Sequence, residues 1–348
     1  MKNKIRLSVI IVNHNGAKYA IRCVDSILKA KPQDTEIILV DNGSKKSDLM
    51  MIKKRFSKII QIVTLKMNYG PAYARNQGVK VSSGEYLGFL DNDTEVHQKW
   101  AITAIREFDE DNFLGIIQCK LLLLSDHKKI DYVGEYLGQN GFLVQRAKSG
   151  ESDTGKYDQK VELLAAKSAG MFIRRRAFLE AGGFDNDYFI YVEETDLGWR
   201  SWLKGYRTIF LPTSIVYHEF GTSTIILGKK QNTYNAKFHG SKNYILTLLK
   251  NLGSKSLFSI LPIHVVLWIG LSFFVLFRRD YKSAAWILKG IGWNLLHLGE
   301  TLQKRRLIQQ SRTKSDVELF PIILKKKPFS YFLYKATNKH TVGNAESF

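Results

Sequence analysis

Apolar and polar positions alternate along the first hundred residues in a repeating order. Leu7 to Val12 (LSVIIV) is an unbroken apolar run of strand length that stops at the turn cluster Asn13-His14-Asn15-Gly16. Tyr19, Ile21, Val24, Ile27 and Leu28 then recur at helical spacing, with Pro32 beyond the end. Glu36 to Val40 (EIILV) predicts a second strand, closed by Asp41-Asn42-Gly43-Ser44, and Leu49 to Phe56 a helix. Ile60 to Thr64 predicts a third strand. Asn68-Tyr69-Gly70-Pro71 is a loop that sets Pro71 in the first turn of a helix carrying Ala72, Ala74, Arg75, Asn76 and Val79. Tyr86 to Leu90 is the next strand and ends in Asp91-Asn92-Asp93. Strand and helix alternating at this spacing predict a parallel sheet with right-handed crossovers, an α/β fold.

Each of these strands closes in polar residues that the topology brings to one edge: Asn13 and Asn15, then Asp41, then Asp91 and Asp93. In open α/β sheets that edge is where ligands bind. Asp91 and Asp93 supply hard oxygen ligands suited to Mn²⁺ or Mg²⁺, ions commonly shared with substrate phosphates. The plainer alternative is that Asp93 or Thr94 caps the following helix and Asp91 is a solvated turn residue. No G-x-x-x-x-G-K-[ST] loop occurs, and the first strand does not lead into G-x-G-x-x-G. A diphosphate would therefore be neutralised by a metal at Asp91 and Asp93, with Arg75 as a second positive group or, alternatively, as an exposed helix arginine.

Further on, Leu114 to Cys119 is an apolar strand, residues 120–165, with Gly134, Gly138 and Gly141 among alternating apolar residues, read as a hairpin or a flexible excursion, and Gly170 to Ile173 is a strand leading into Arg174-Arg175-Arg176. Aromatic and apolar residues Tyr188 to Val192 precede Glu193-Glu194-Thr195-Asp196, and a helix follows to about Gly205. Acids at a helix start complement its dipole; the chemical alternative is that one of Glu193, Glu194 and Asp196 is a general base. His218 ends the apolar run Ile215 to Tyr217 and is either a hydrogen-bonded structural residue or a metal ligand.

The series SVIIVNHNG, IILVDNGS, MNYGPAYARNQGV and YLGFLDNDTEV resembles the nucleotide-sugar half of glycosyltransferase family 2, with its GT-A fold. GMFIRRRAFLEAGGFDNDYFIYVEETDLGWR, followed by VYHEFGTS, is similar to that family's acceptor half, in its rhamnosyltransferase-like branch. The resemblance spans roughly residues 5 to 225. It implies a GT-A nucleotide-diphospho-sugar transferase domain over residues 1–225, with a mostly parallel Rossmann-like sheet. The nucleotide-sugar set it implies is Asn13, Asn15, Asp41, Asn68, Gly70, Arg75, Asp91 and Asn92. Asp41 would read the uracil or thymine base, Asp91 would face the ribose and metal-bound water, and Asp93 and His218 would bind the metal. The family pattern Glu-Asp-x-Asp-Leu-x-x-Arg places the base at Glu194, a Glu where Asp is usual, so Glu193 and Asp196 stay open as alternatives. The implied activity is inverting transfer from a nucleoside-diphosphate sugar, dTDP-rhamnose or a UDP-sugar, to a hydroxyl acceptor. The competing readings are a nucleotidyltransferase and a non-catalytic module that binds a membrane or a partner.

Composition and charge alter this picture mainly at the C-terminus. Over 348 residues, 45% hydrophobic and 24% charged, a packed core is expected. Cys23 and Cys119 have no metal or disulfide spacing and read as buried thiols. The N-terminal apolar run is too short for a signal-peptide core, which predicts a cytosolic start. The net charge of +20 lies mostly beyond residue 222, where 20 Lys and Arg face 5 Asp and Glu. Leu257 to Phe277 holds 21 residues without a charged one, enough to cross a core of about 30 Å. Arg278, Arg279 and the basic tail after it oppose a single outward crossing. Residues 226–348 are therefore expected to attach to an anionic membrane surface at the cytoplasmic face, peripherally, re-entrantly or integrally through residues 257–298, with Pro262 breaking the run into a hairpin. A buried helix pair is the alternative. The same charge does not favour nucleic acid, because it flanks aliphatic runs instead of alternating with exposed aromatics. The membrane expectation and the family resemblance together suggest a lipid-linked glycan as acceptor.

Overall fold

A computed structural model describes residues 4–219, 229–328 and 330–331. The 225/226 boundary, the end of the VYHEFGTS block and the basic residues beyond Tyr331 lie outside the described residues.

The chain runs β1 (Leu7–Asn13), α1 (Ala17–Ala30), β2 (Thr35–Asn42), α2 (Lys46–Phe56), β3 (Gln61–Leu65), α3 (Pro71–Val81) and β4 (Tyr86–Asp91). Next come β5 (Thr94–Val96), α4 (Trp100–Glu110), β6 (Leu114–Leu123), β7 (Asp126–Tyr132), β8 (Glu135–Gly138), β9 (Leu143–Gln145) and β10 (Val161–Glu162). Then follow β11 (Met171–Arg174), α5 (Arg175–Glu180), α6 (Glu193–Leu203) and β12 (Arg207–His218). The C-terminal elements are α7 (Lys229–Asn251), α8 (Ser254–Phe277), α9 (Tyr281–Leu296), α10 (Leu298–Ser311), α11 (Asp316–Ile323) and β13 (Leu324–Lys325).

The main sheet has the order β10-β12-β6-β11-β4-β1-β2-β3. β3, β2, β1 and β4 are mutually parallel, as the alternating pattern predicts. β11 enters antiparallel between β4 and β6, so the sheet is mixed from that point. Both faces of the parallel part are covered. Val9 and Ile11 join one core with Val24, Ile27 and Trp100, while Ile10 joins the other with Ala74 and Val79. Burial on both faces is the reason these strands read as continuous apolar runs. The register sets Asn13 beside Asp41 and Val12 beside Asp91, so the polar strand ends meet at one edge.

Residues 120–165, expected to form a hairpin or a flexible excursion, extend β6 to Leu123 and return antiparallel as β7, which is the hairpin. Buried Lys120 bonds Asp153 and Asp158 at 2.5 Å each and staples the following excursion to the sheet. The 257–277 run is one continuous helix through Pro262, not the hairpin expected from that proline. Ile260, His264, Trp268 and Ser272 bury one stripe of α8 on both sides of Pro262, and this packing holds the helix across it. The described residues beyond 226 share a core with the first part of the chain. One core contains Leu164, Trp199 and Trp202 from the first part together with Tyr244, Leu248, Trp268 and Ile287 from the second.

Candidate functional site

The floor of the site is a polar mesh across β1, β2 and β4. Asn13 Nδ2 donates to Asp41 Oδ1 and to Ser44 Oγ, both at 3.2 Å, and the Ser44 amide donates to Asp41 Oδ2 at 3.2 Å. Asn92 Nδ2 donates to Asn13 Oδ1 at 2.8 Å. Asp41 is fully buried with both oxygens engaged. Asn15, in the left-handed region, accepts from the Lys45 amide at 2.9 Å and fixes the loop after β2. Asn42 Nδ2 donates to Asn68 Oδ1 at 3.0 Å, and the Gly70 amide donates to the same oxygen at 2.9 Å. Gly70 has φ +83, and a Cβ there would collide with the Phe189 carbonyl, so this turn admits only glycine.

Asp91, Asp93 and His218 place one ligand atom each within 4.8 Å of the others. Two carboxylates and an imidazole suit a divalent cation of the Mn²⁺ or Mg²⁺ kind. β12 delivers His218 because its end pairs with β5, His218 opposite Thr94. His218 Nδ1 donates to Asp131 Oδ2 at 2.8 Å, which turns Nε2 toward Asp93 Oδ1 at 3.4 Å. Burial alone would discharge this ring, but Asp93 and Asp131 outweigh it and raise the imidazole pKa well above its ordinary value. Burial would likewise raise Asp131; the hydrogen bond from His218 and its charge hold that carboxyl below the usual range. Asp131 lies on β7, inside the stretch read from the sequence as a hairpin or a flexible excursion.

The acids at the start of α6 divide into two groups. Arg75 is buried, not an exposed helix arginine. Its Nη1 donates to Glu193 at 2.8 Å and lies 3.7 Å from Glu194, and its Nη2 donates to Asp91 at 3.1 Å. Ser168 Oγ donates to Glu194 Oε1 at 2.5 Å, and its amide donates to the same oxygen at 3.1 Å. The Ser168 hydroxyl also lies 3.3 Å from Asp91 Oδ1. One guanidinium thus faces three carboxylates. Desolvation first, and Glu194 second, push the Glu193 carboxyl up to about 8 despite Arg75. Glu194, 13% exposed against 3% for Glu193, is the member nearer solvent.

Asp196 does not belong to this group. At roughly 100° per residue, its side chain leaves α6 about 200° around from that of Glu194. It is fully buried and bonded by Arg200 Nε at 2.8 Å, Lys250 Nζ at 3.0 Å and Asn251 Nδ2 at 2.9 Å. Against desolvation, Arg200 and Lys250 hold its carboxyl below the usual range. It ties α6 to α7, which removes it from the candidate bases. The stretch before α6 is backbone-strained: Phe189, Tyr191 and Val192 have φ of 58, 69 and 67. Asn243 Nδ2, from α7, lies 3.0, 2.8 and 2.7 Å from the carbonyls of Tyr188, Ile190 and Tyr191. Sequence reading found neither Ser168, Asp131 nor Asn243. Only the KSAG stretch before β11 carried a weak polar signal.

Parallel strands ending in a buried polar mesh, a cation-sized carboxylate-imidazole cluster and an arginine with three acids around it meet at one sheet edge of an α/β domain. Residues 8–180, just under half of the chain, match the family model described as Glycosyl transferase family 2. An uncharacterized glycosyltransferase of Rickettsia bellii is 33% identical over 134 residues, 38% of this chain and 18% of that protein. Polypeptide N-acetylgalactosaminyltransferase 3 of Drosophila melanogaster is 26% identical over 236 residues, 62% of this chain and 35% of that protein. The chain spans between 18% and 40% of the length of such curated relatives.

Two solved structures share the α/β GT-A-like fold. GalNAc-T7 with UDP, GalNAc and Mn²⁺ superposes with a TM-score of 0.58 at 19% identity, over 85% of this chain and 58% of that one. The mannosyltransferase PcManGT of Pyrobaculum calidifontis, in complex with GDP-Man and Mn²⁺, gives 0.51 at 14% identity, over 89% and 86%.

Proposed function

We propose that the protein is an inverting glycosyltransferase that moves a sugar from a nucleoside-diphosphate donor to a hydroxyl acceptor. The observation that carries this reading is the meeting of Asp91, Asp93 and His218 with Glu193, Glu194 and Arg75 at one sheet edge, bridged by Ser168. Asp91, Asp93 and His218 would hold Mn²⁺ or Mg²⁺, which when bound supplies positive charge against the leaving diphosphate. Arg75 fixes the acids from behind. Glu193 keeps the proton that three carboxylates around one guanidinium retain. Glu194, oriented by two hydrogen bonds from Ser168, takes the acceptor hydroxyl's proton. As it does so the acceptor oxygen bonds to the anomeric carbon, and the bond from that carbon to the diphosphate breaks. The products are the glycoside and a nucleoside diphosphate.

Among donors we place dTDP-rhamnose first, on the block-by-block resemblance to the rhamnosyltransferase-like branch, and UDP-sugars second. We further propose a lipid-linked glycan as acceptor, in cell-surface polysaccharide synthesis at the cytoplasmic membrane face. The apolar, basic C-terminal helices support that placement. A screen of nucleotide sugars with Mn²⁺, scored by nucleotide release and by the anomeric configuration of the product, tests the reading. Glu194→Gln is expected to keep donor binding and to lose at least about 100-fold in turnover. Near-normal turnover in that variant removes Glu194 as base, and pyrophosphate release in place of nucleoside diphosphate points to nucleotidyl transfer instead.

A further inference from the structure

α8 is apolar on its outer face as well as its inner one, and the polar His264 and Ser272 lie on the buried side, unlike a helix on a water-soluble surface. Its buried stripe, Ile260, His264, Trp268 and Ser272, faces the protein. His264 Nδ1 donates to the Asn140 carbonyl at 2.9 Å, and Trp268 Nε1 donates to His264 Nε2 at 2.9 Å. Ser272 Oγ donates to the Ala284 carbonyl at 3.2 Å and ties α8 to α9. Asn140 sits in the β8–β9 turn, beside the core that also holds Trp199 of α6. The opposite face carries Phe258, Val266, Phe273 and Phe277, of which Phe258 and Phe277 are 80% and 86% exposed. On α9, exposed Leu288 and Leu295 continue from Tyr281 at seven-residue spacing, and Lys282 and Lys289 border that stripe. Arg278 and Arg279 lie at the turn between the helices and Lys255 at the start of α8. Over both helices and their turn the only carboxylate is Asp280.

At about 1.5 Å per residue α8 is long enough to cross a bilayer. Crossing would carry His264, near its middle, into hydrocarbon. That would either break its bond to Asn140 or draw the β8–β9 turn in with it, and buried polar groups left unpaired are costly there. Lying in the interface keeps every one of these bonds. It buries the aromatic and aliphatic face to a shallow depth and leaves the lysine and arginine heads among lipid phosphates.

We propose that α8 and α9 form an in-plane anchor that seats in one leaflet of an anionic phospholipid membrane, with the face from Phe258 to Phe277 inserted and no segment of α8 crossing. This rests on the reading that the protein works at a membrane, and it specifies how. The occupant is an anionic lipid leaflet because the apolar face is bordered by cations and nearly free of carboxylates.

The experiment uses the full chain with nitroxides placed singly at Phe258→Cys, Val266→Cys and Phe277→Cys; the native thiols of Cys23 and Cys119 are buried. The chain is mixed with phosphatidylcholine vesicles with or without phosphatidylglycerol. The expected results are retention at least tenfold stronger on the anionic vesicles and equal, shallow depths at the three positions. Arg278→Glu/Arg279→Glu/Lys282→Glu should abolish the lipid preference. Depths graded along the helix, with Val266 at the bilayer centre, overturn the proposal. So does a chain that stays off the vesicles, either alone or self-associated through this face. UDP and dTDP binding measured in the same samples reports separately on the sheet-edge site. Absent vesicle retention with intact nucleotide binding counts against the anchor alone, whereas absent nucleotide binding counts against the transfer reading alone.

Discussion

At the scale of single residues, the site's chemistry depends on which carboxylate keeps a proton. Glu193 is pushed up to about 8 in the folded protein from an ordinary 4.5. The folded state therefore holds a proton that the unfolded chain releases between these values. The associated stability is complete below about pH 4.5 and is lost as pH rises through 8. Glu193→Gln should flatten the fall in unfolding free energy between pH 5 and 8, read by denaturant titration at stepped pH; an unchanged slope would mean the pair holds no shared proton. Asp131 acts through His218. Asp131→Ala should weaken Mn²⁺ affinity about 10- to 100-fold, with partial rescue by Asp131→Asn. Electron paramagnetic resonance of free Mn²⁺ in the presence of UDP checks this without turnover, and equal affinities would assign Asp131 a purely structural part. Asp91, Asp93, His218 and the two glutamates were named from the sequence, and the structure brings them to one sheet edge. Sequence reading missed Asp131 because nothing local marks a β7 carboxylate that meets His218 across 87 positions. It kept Asp196 as a candidate because adjacency in sequence hides the rotation of a helix.

At the scale of elements, the first turn of α6 is set by a clamp. Three consecutive-region residues in left-handed backbone, none of them glycine, cost on the order of 1–3 kcal/mol each. The hydrogen bonds from Asn243 hold them there and so aim Glu193 and Glu194. Removing the amide in Asn243→Ala leaves buried carbonyls unpaired, at about 1–3 kcal/mol. That variant should lose both thermal stability and most turnover, while nucleotide binding, proposed at the ends of β1, β2 and β4, should persist. A drop in stability with full specific activity would show that the clamp does not aim the acids. The parallel strands and their helices were legible because two-sided burial leaves an unbroken apolar run. In the mixed half β6, β11 and α6 were legible as well, whereas β7 was not, because it pairs with β6 through irregular register.

At the scale of the molecule, the C-terminal helices brace the segment that carries Glu193 and Glu194. Lys250 from α7 bonds both Asp185 and Asp196, and Lys304 from α10 bonds Asp185 and Asp187, so the loop at Asp185 to Asp187 and α6 are held from behind by the basic region. A sequence boundary near 225 marks a change of composition without a change of core. In the proposed mechanism, distant parts of the chain make one cleft for a cation-bound diphosphate. The most direct test is calorimetric titration of UDP and dTDP into the full chain with and without Mn²⁺, in the parent and in Asp93→Ala. The account predicts binding that requires Mn²⁺ in the parent and is lost in the variant. Binding indifferent both to Mn²⁺ and to Asp93 would contradict it.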